Sequence, residues 1–220
     1  MIKINFIEKF DVIVCLDGIL PTSDFFENFQ NIPIIAADGA AIKLMEMNIQ
    51  FDKVIGDLDT LKINGFQKKI SPEKILYLPD QEFNDFEKTL NYAYEMGFIK
   101  ILILGFHGGE LEHSFNNWSV LIKYISKLSL CIYENGRYAI PLNNSISLLT
   151  KPEEMIGIIP QPTARLTTSG FKWELNNEIL ELGVREGARN IALANEVSIE
   201  IHSGSILLII DSRLPHTANF

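Results

Sequence analysis

Short apolar runs alternate with segments of helical spacing through the first 125 or so residues, and no other feature constrains the fold as strongly. Val12-Ile13-Val14-Cys15-Leu16, Pro33-Ile34-Ile35-Ala36-Ala37, Lys53 to Ile55, Ile75-Leu76-Tyr77-Leu78 and Ile99 to Leu104 read as five strands. Their mostly unbroken apolar character suits strands covered on both faces. Between them, Ser23-Asp24-Phe25-Phe26-Glu27 starts a helix with a cap, and Ala40 to Met47 continues the pattern. Phe86, Leu90 and Tyr94 recur at helical spacing, so a helix is expected from Asn84 to Met96, with Gly97 where it ends. A further helix is expected over Ser114 to Ile125.

The pattern changes near Leu130. Cys131 to Tyr133 and Arg137 to Ile140 flank the turn sequence Glu134-Asn135-Gly136. Short strands then follow at Ile156–Pro160, Arg165–Thr168, Phe171–Leu175, Ile179–Leu182, Val197–Ile201 and Ser205–Ile210. Asn176-Asn177 and His202-Ser203-Gly204 mark turns between them. The fold class expected is α/β: an N-terminal Rossmann-like domain with a mostly parallel sheet over 1–130, then a C-terminal β-sandwich over 131–220. No Gly/Ser linker, internal repeat or low-complexity tract separates them.

With 47% hydrophobic and 21% charged residues, the 220-residue chain has the composition of a packed globular protein. Its formal net charge of −9 argues against a general nucleic-acid binder, which is normally basic. Cys15 and Cys131 both lie in apolar runs and read as buried thiols. No apolar run reaches the roughly 18 residues expected of a membrane span, and the N-terminus lacks a signal-peptide pattern. The cytoplasm is the expected compartment, with no membrane partner.

In open parallel sheets, ligands sit beyond the carboxyl ends of the strands. Asp38-Gly39, Gly56-Asp57-Leu58-Asp59, Asp85 and Gly105-Phe106-His107-Gly108-Gly109 all fall there. On an extended backbone Asp57 and Asp59 share a face, so two carboxylates meet at one point. Like charges repel unless a cation joins them, and a hard ion such as Mg²⁺ takes oxygen ligands of this kind together with substrate phosphates. Asp85 supplies a third carboxylate from a helix start, where Asn84 and Glu87 have capping-box spacing. Each aspartate also has a plainer reading as a turn or cap residue. The glycines let a backbone approach phosphates closely.

Other chemistries lack their motifs. Nothing matches the P-loop Gly-x-x-x-x-Gly-Lys-Ser/Thr, the dinucleotide fingerprint or a Gly-x-Ser-x-Gly elbow. His107, His113, His202 and His216 show no zinc-ligand spacing. In the β-rich part, Thr167-Thr168-Ser169-Gly170-Phe171-Lys172-Trp173 forms a polar hairpin whose Trp suits stacking on a planar or cationic ligand. The competing reading is core, since most aromatics in such strands face the interior.

With these residues assembled, the chain resembles the thiamine pyrophosphokinase family. The markers run in the family's order across nearly the whole length. They are Ala37-Asp38-Gly39-Ala40, Gly56-Asp57-Leu58-Asp59-Thr60, Asp80 to Lys88, Gly105 to His113, Thr167 to Asn177 and Gly187-Ala188-Arg189-Asn190. The resemblance implies transfer of a pyrophosphoryl group from ATP to the hydroxyl of thiamine, giving thiamine diphosphate and AMP. It implies Mg²⁺ on Asp57, Asp59 and Asp85, with Asp85 or Asp59 accepting the alcohol proton. By resemblance Asp38, Gly39, Gly105, Gly108, Gly109, Glu112 and His113 belong near ATP. Asn84, Ser169 and Trp173 belong near thiamine. The family also implies a homodimer with composite sites.

One departure stands out. Where family members commonly read Gly-Gly-Arg-x-Asp-His, this chain reads Gly108-Gly109-Glu110-Leu111-Glu112-His113. Glu110 reverses a charge where a phosphate contact is expected, and Lys88 and Arg189 are candidate replacements. Two alternatives to the kinase remain: a catalytically weak thiamine or thiamine-diphosphate binding protein, and a pyrophosphokinase for another heterocyclic alcohol such as a pterin. Glu110 motivates the first. Retention of Asp57, Asp59 and Asp85 opposes it, and the Thr-Thr-Ser-Gly-Phe-Lys-Trp hairpin opposes the second.

Overall fold

The computed structural model describes residues 1–219. The chain divides into two compact units, residues 10–135 and residues 1–9 with 136–220. Two short strands, β1 (Ile2–Ile4) and β2 (Phe6–Lys9), therefore belong with the C-terminal part, a placement no local pattern announces.

The unit spanning 10–135 is built on six strands: β3 (Val12–Cys15), β4 (Ile34–Ala37), β5 (Lys53–Gly56), β6 (Ile75–Tyr77), β7 (Lys100–Leu104) and β8 (Ser129–Glu134). They pair in the order β8-β7-β3-β4-β5-β6, and every pairing is parallel. The helices are α1 (Ala40–Glu46), α2 (Asp59–Ile63), α3 (Asp85–Glu95) and α4 (Leu111–Tyr124). Central strands β3 and β7 are apolar because both faces are covered: Val12 to Cys15 and Ile101 to Leu104 have no exposed surface. Ser23–Phe29 forms a 3-10 helix, and its Phe25, Phe26 and Phe29 are buried. The last helix begins at Leu111, three residues before the expected start. Cys15 and Cys131 are buried free thiols, and burial pushes both pKa values up.

The other unit is a β-sandwich with two long strands as its spine. Its remaining strands are β9 (Arg137–Leu142), β10 (Ile146–Leu149), β11 (Met155–Ser169), β12 (Glu178–Glu181), β13 (Gly187–Ile191), β14 (Glu196–Asp211) and β15 (His216–Ala218). β11 and β14 pair antiparallel over most of their length. One half of this pair takes β9 and β13 as outer partners; the other half takes β10, β12 and, through β10, β1.

Two expectations fail here for one reason. His202-Ser203-Gly204 reads as a turn but lies inside β14, and Val197–Ile201 and Ser205–Ile210 are parts of one strand. Arg165 pairs with Ser203 and Leu166 with Ile201, so His202 is an extra, unpaired residue in the ladder. Such a bulge bends a strand and moves the following side chains to the other face. The buried residues accordingly switch from Val197 and Ile199 to Ile206, Leu208 and Ile210. Likewise Ile156–Pro160 and Arg165–Thr168 belong to one strand, β11. Among the described residues, Phe171–Leu175, expected as a strand, contributes only a single bridge from Phe171 to Ala192.

Candidate active site

The chain passes from β3 through β4, β5 and β6 on one side of the sheet, then returns to β7 and β8 on the other. The boundary between β3 and β7 is a topological switch point, where the loops leave in opposite directions and open a crevice. A cleft of about 810 Å³ lies there, lined by residues following β3, β4, β5 and β7 and by the start of α3. Gly18 lets the loops after β3 and β7 approach closely in the cleft wall. Its amide donates to the Gly105 carbonyl, and a Cβ on residue 18 would lie 2.3 Å from that oxygen.

Three carboxylates converge in this cleft. Asp38, Asp57 and Asp85 each place an oxygen within 4.8 Å of the others. Asp38 follows β4 with a φ of 33°. Its backbone amide donates a hydrogen bond to the Ile55 carbonyl, and its Oδ2 accepts from the Thr60 amide at 3.1 Å. Asp57 follows β5; its Oδ1 accepts from the Asp59 amide and its Oδ2 from Gln81 Nε2. Asp85 is the first residue of α3. Asn84 caps that helix by accepting the Glu87 amide at 2.7 Å, which leaves Asp85 facing the cleft. The expected reciprocal cap from Glu87 is replaced by an ion pair between its carboxylate and Lys123 at 2.9 Å.

Asp59 lies outside this cluster. Leu58 adopts φ 61° and ψ 23°, a left-handed conformation, so the backbone between the two aspartates is not extended. Asp59 opens α2 and turns to Lys62, 3.1 Å away, with its side chain 67% exposed. The partner of Asp57 is instead Asp38, delivered by the neighbouring strand.

The electrostatics favour a cation. Burial pushes the Asp38 carboxyl up, against hydrogen bonds from Thr60. Burial also raises Asp85, opposed by the Lys88 charge. Asp57 is subject to the same burial, but the Gln81 and Asp59 hydrogen bonds and the Lys88 and Lys62 charges outweigh it and hold it below the ordinary range. Among the described residues, Asp38 Oδ1 is buried without a hydrogen-bond partner. Buried carboxylate oxygens are normally satisfied, and a metal ion satisfies one as well as a donor does. Three clustered carboxylates with one orphan oxygen therefore fit a hard divalent cation.

Two lysines add positive charge. Lys88 is 5% exposed and pairs with Asp85 Oδ1 at 3.2 Å. Lys43, from α1, reaches the end of β3. Its Nζ donates to the Asp17 and Gly18 carbonyls at 2.7 and 2.8 Å and pairs with the Asp17 carboxylate at 2.9 Å.

Of the residues expected near ATP, Asp38, Gly39, Gly105, Gly109 and His113 line the cleft, while Gly108 and Glu112 are not in its wall. Glu110 does line it. This residue is the N-cap of α4, 79% exposed in its side chain and 3.7 Å from His113. Asn84 lines the same cleft. Ser169 and Trp173 belong to the other unit, where Ser169 is exposed at the end of β11. Trp173 is 54% exposed, which overturns its reading as sandwich core. It lines a cleft of about 250 Å³ with Arg185, Arg189 and Asn190. Asn190 clamps its backbone, accepting the Trp173 amide and donating to its carbonyl at 2.7 Å.

Sequence reasoning missed Asp17, Gly18, Lys43, Thr60 and Gln81, all in the cleft wall. Asp17-Gly18 repeats the arrangement of Asp38-Gly39 after an apolar strand, so its signal was present. Gln81 lies within the Asp80 to Lys88 marker, but nothing local to it indicates a bond to Asp57.

Comparison with known proteins decides what this arrangement belongs to. The family model described as "Thiamin pyrophosphokinase, catalytic domain" matches residues 28–133. That described as "Thiamin pyrophosphokinase, vitamin B1 binding domain" matches residues 143–206. The chain belongs to the thiamine pyrophosphokinase family. The first match falls within the α/β unit and the second within the β-sandwich unit. The chain is 26% identical over 196 residues to Thiamin pyrophosphokinase 1 of Caenorhabditis elegans, covering 80% of this chain and 77% of that one. It is 26% identical over 176 residues to the thiamine pyrophosphokinase of Bacillus subtilis, covering 77% and 78%. The fold matches the crystal structure of the thiamin pyrophosphokinase from Geobacillus thermodenitrificans with a TM-score of 0.76 at 20% identity, over 94% of this chain and 99% of that one.

Proposed function

We propose that this chain is an active thiamine pyrophosphokinase, moving the pyrophosphoryl group of ATP onto the hydroxyl of thiamine to give thiamine diphosphate and AMP. The observation that carries this is the convergence of Asp38, Asp57 and Asp85 at the switch-point cleft. Transfer of this kind asks mainly for alignment and charge neutralisation, because the nucleophile is a neutral alcohol and the charge sits on phosphate oxygens. Asp38, Asp57 and Asp85 would hold Mg²⁺, which when bound neutralises phosphate charge. Asp59 contributes through its amide, which orients Asp57.

The remaining roles follow from the side chains. Gly39, Gly105 and Gly109 line the cleft wall, where the lack of a side chain lets a triphosphate approach closely, with Asn84 and His113 beside it. Lys88 and Lys43 supply the positive charge that Glu110 does not. The thiamine hydroxyl attacks the β-phosphorus; the new O–P bond forms as the bond to the α-phosphate oxygen breaks and AMP leaves. Asp85, at the start of α3 in the cleft wall, takes the hydroxyl proton as the alcohol attacks. Trp173 and Ser169 contact thiamine, whose cationic ring suits an exposed indole. We place these on a homodimer in which the α/β unit of one subunit and the sandwich of the other complete each site. Two buried free thiols suit a reducing cytoplasm.

Incubating the purified protein with ATP, Mg²⁺ and thiamine and identifying products by mass tests the assignment. AMP and thiamine diphosphate in equal amounts are expected. Tight thiamine binding without turnover would replace it with the binding-protein reading.

A further inference from the structure

His107 sits in the Gly105–Gly109 loop but is absent from the cleft lining. Its side chain points instead to the end of β8, where Nδ1 lies 2.5 Å from Glu134 Oε2. The two are about equally accessible, at 36% and 42%. The imidazole also packs on aromatic neighbours, with ring centroids 5.0 Å from Phe106 and 5.4 Å from Trp118. Phe106 and Trp118 lie 4.6 Å apart. The ring is thus gripped by a carboxylate on one strand and an indole on α4.

The backbone of the same residue faces the switch point. The His107 carbonyl accepts the Ile19 amide at 2.7 Å, while Gly105 accepts from Gly18 and Phe106 from Asn117 Nδ2. Successive carbonyls of the loop are therefore each assigned a donor. Gly105 and Gly108, with φ of 69° and 88°, flank Phe106 and His107. The His107 side chain adds a further tether, from the middle of the loop to the end of β8.

With the cleft taken as the nucleotide site proposed above, we propose that His107 and Glu134 are a positioning pair for it. They hold the Gly105–Gly109 backbone in the shape that receives the triphosphate, without touching the reacting atoms. An ionised carboxylate has no hydrogen to donate, so in this contact Nδ1–H donates and Glu134 Oε2 accepts. Holding a loop in its bound conformation lowers the ordering cost of binding, so the effect falls on nucleotide affinity and not on the chemical step.

The test compares wild type with His107→Ala, His107→Asn and Glu134→Gln. Asn keeps an N–H donor near the Nδ1 position. Each is titrated calorimetrically with Mg²⁺-loaded α,β-methylene ATP, then assayed for turnover and thermal melting. Loss of one charge-assisted tether should weaken analogue binding about tenfold in His107→Ala and raise the KM for ATP alike. Turnover at saturating ATP and the KM for thiamine should stay within about twofold. His107→Asn should recover most of the lost affinity. Equal affinity in wild type and His107→Ala would overturn the pair's role. So would a fall in kcat and melting temperature with no rescue by Asn, the mark of a purely structural contact. Wild type that fails to bind the analogue would instead overturn the nucleotide assignment itself.

Discussion

A Cβ on residue 56 would lie 2.9 Å from the Asp85 carboxyl carbon, so glycine at the end of β5 leaves the space that the α3 carboxylate fills. Gly56 also has φ 155°, a conformation that side chains rarely adopt. Gly56→Ala should therefore displace Asp85 and strain the strand end together, at about 1–3 kcal/mol of stability. The expected outcome is a large loss of turnover with a modest drop in melting temperature. Turnover near that of wild type would show that Asp85 needs no such space.

Charge at the carboxylate cluster is the second test. Asp57→Asn and Asp85→Asn keep the shape but remove a ligand charge, and should lower turnover by about 100-fold or more. Asp85→Asn should also melt lower, since it strands the buried Lys88 ammonium. Asp59→Asn should be milder, because that side chain faces Lys62 and solvent. If Asp59→Asn proves as damaging as Asp57→Asn, the ligand set must include Asp59 after all.

The raised pKa of Asp38 has a pH signature. Burial makes the folded protein bind that proton more tightly than the unfolded chain does. The resulting stability is fully present below the unfolded pKa of roughly 3.9 and is lost as pH rises through the raised folded value. In chelator at neutral pH, Asp38→Asn should melt at or above wild type, and its advantage should shrink as pH falls toward the carboxylate range. Added Mg²⁺ should stabilise wild type more than the variant. Melts across pH, with and without Mg²⁺, check both signs; a variant less stable than wild type in chelator at neutral pH would contradict the burial argument.

Glu110 permits a test in the gaining direction. It lines the cleft yet is mostly exposed, so its charge is partly screened. Glu110→Arg should tighten Mg-ATP binding by about 1 kcal/mol, while placing a cation at the α4 N-terminus costs about 0.3–1 kcal/mol of stability. Calorimetry and melting together should show tighter binding in a slightly less stable protein. Unchanged affinity would mean that the side chain points away from the triphosphate.

What the sequence reveals depends on how local the cause is. The parallel sheet, α3 with its Asn84 cap and the Asp-Gly strand ends are legible because periodicity and capping act within a few residues. The Asp57–Asp59 pairing misleads because spacing by two assumes an extended backbone, and the left-handed Leu58 breaks it. The third carboxylate of the cluster, Asp38, comes from a neighbouring strand through the sheet register Ala37 to Ile55. Gly204 reads as a turn because glycine favours both turns and bulges, and only pairing with β11 decides between them. Strands β1 and β2 find partners far along the chain, Ser147 for Lys3 and Thr217 for Glu8, which no local signal carries.

The shared-site dimer makes the last prediction. Asp85 and Trp173 sit on different units, and the proposed homodimer has them serve one site from different subunits. A two-fold dimer then holds two equivalent composite sites. Asp85→Asn and Trp173→Ala should each be severely impaired alone. Unfolded and refolded together in equal amounts, they pair at random, and half the dimers are mixed. Each mixed dimer has one intact site and one doubly damaged site, so about a quarter of wild-type activity should return. If both residues serve a site from one chain, every site carries a lesion and nothing returns. Native mass spectrometry confirms that mixed dimers have formed. Their presence without recovered activity would rule out sites shared between subunits.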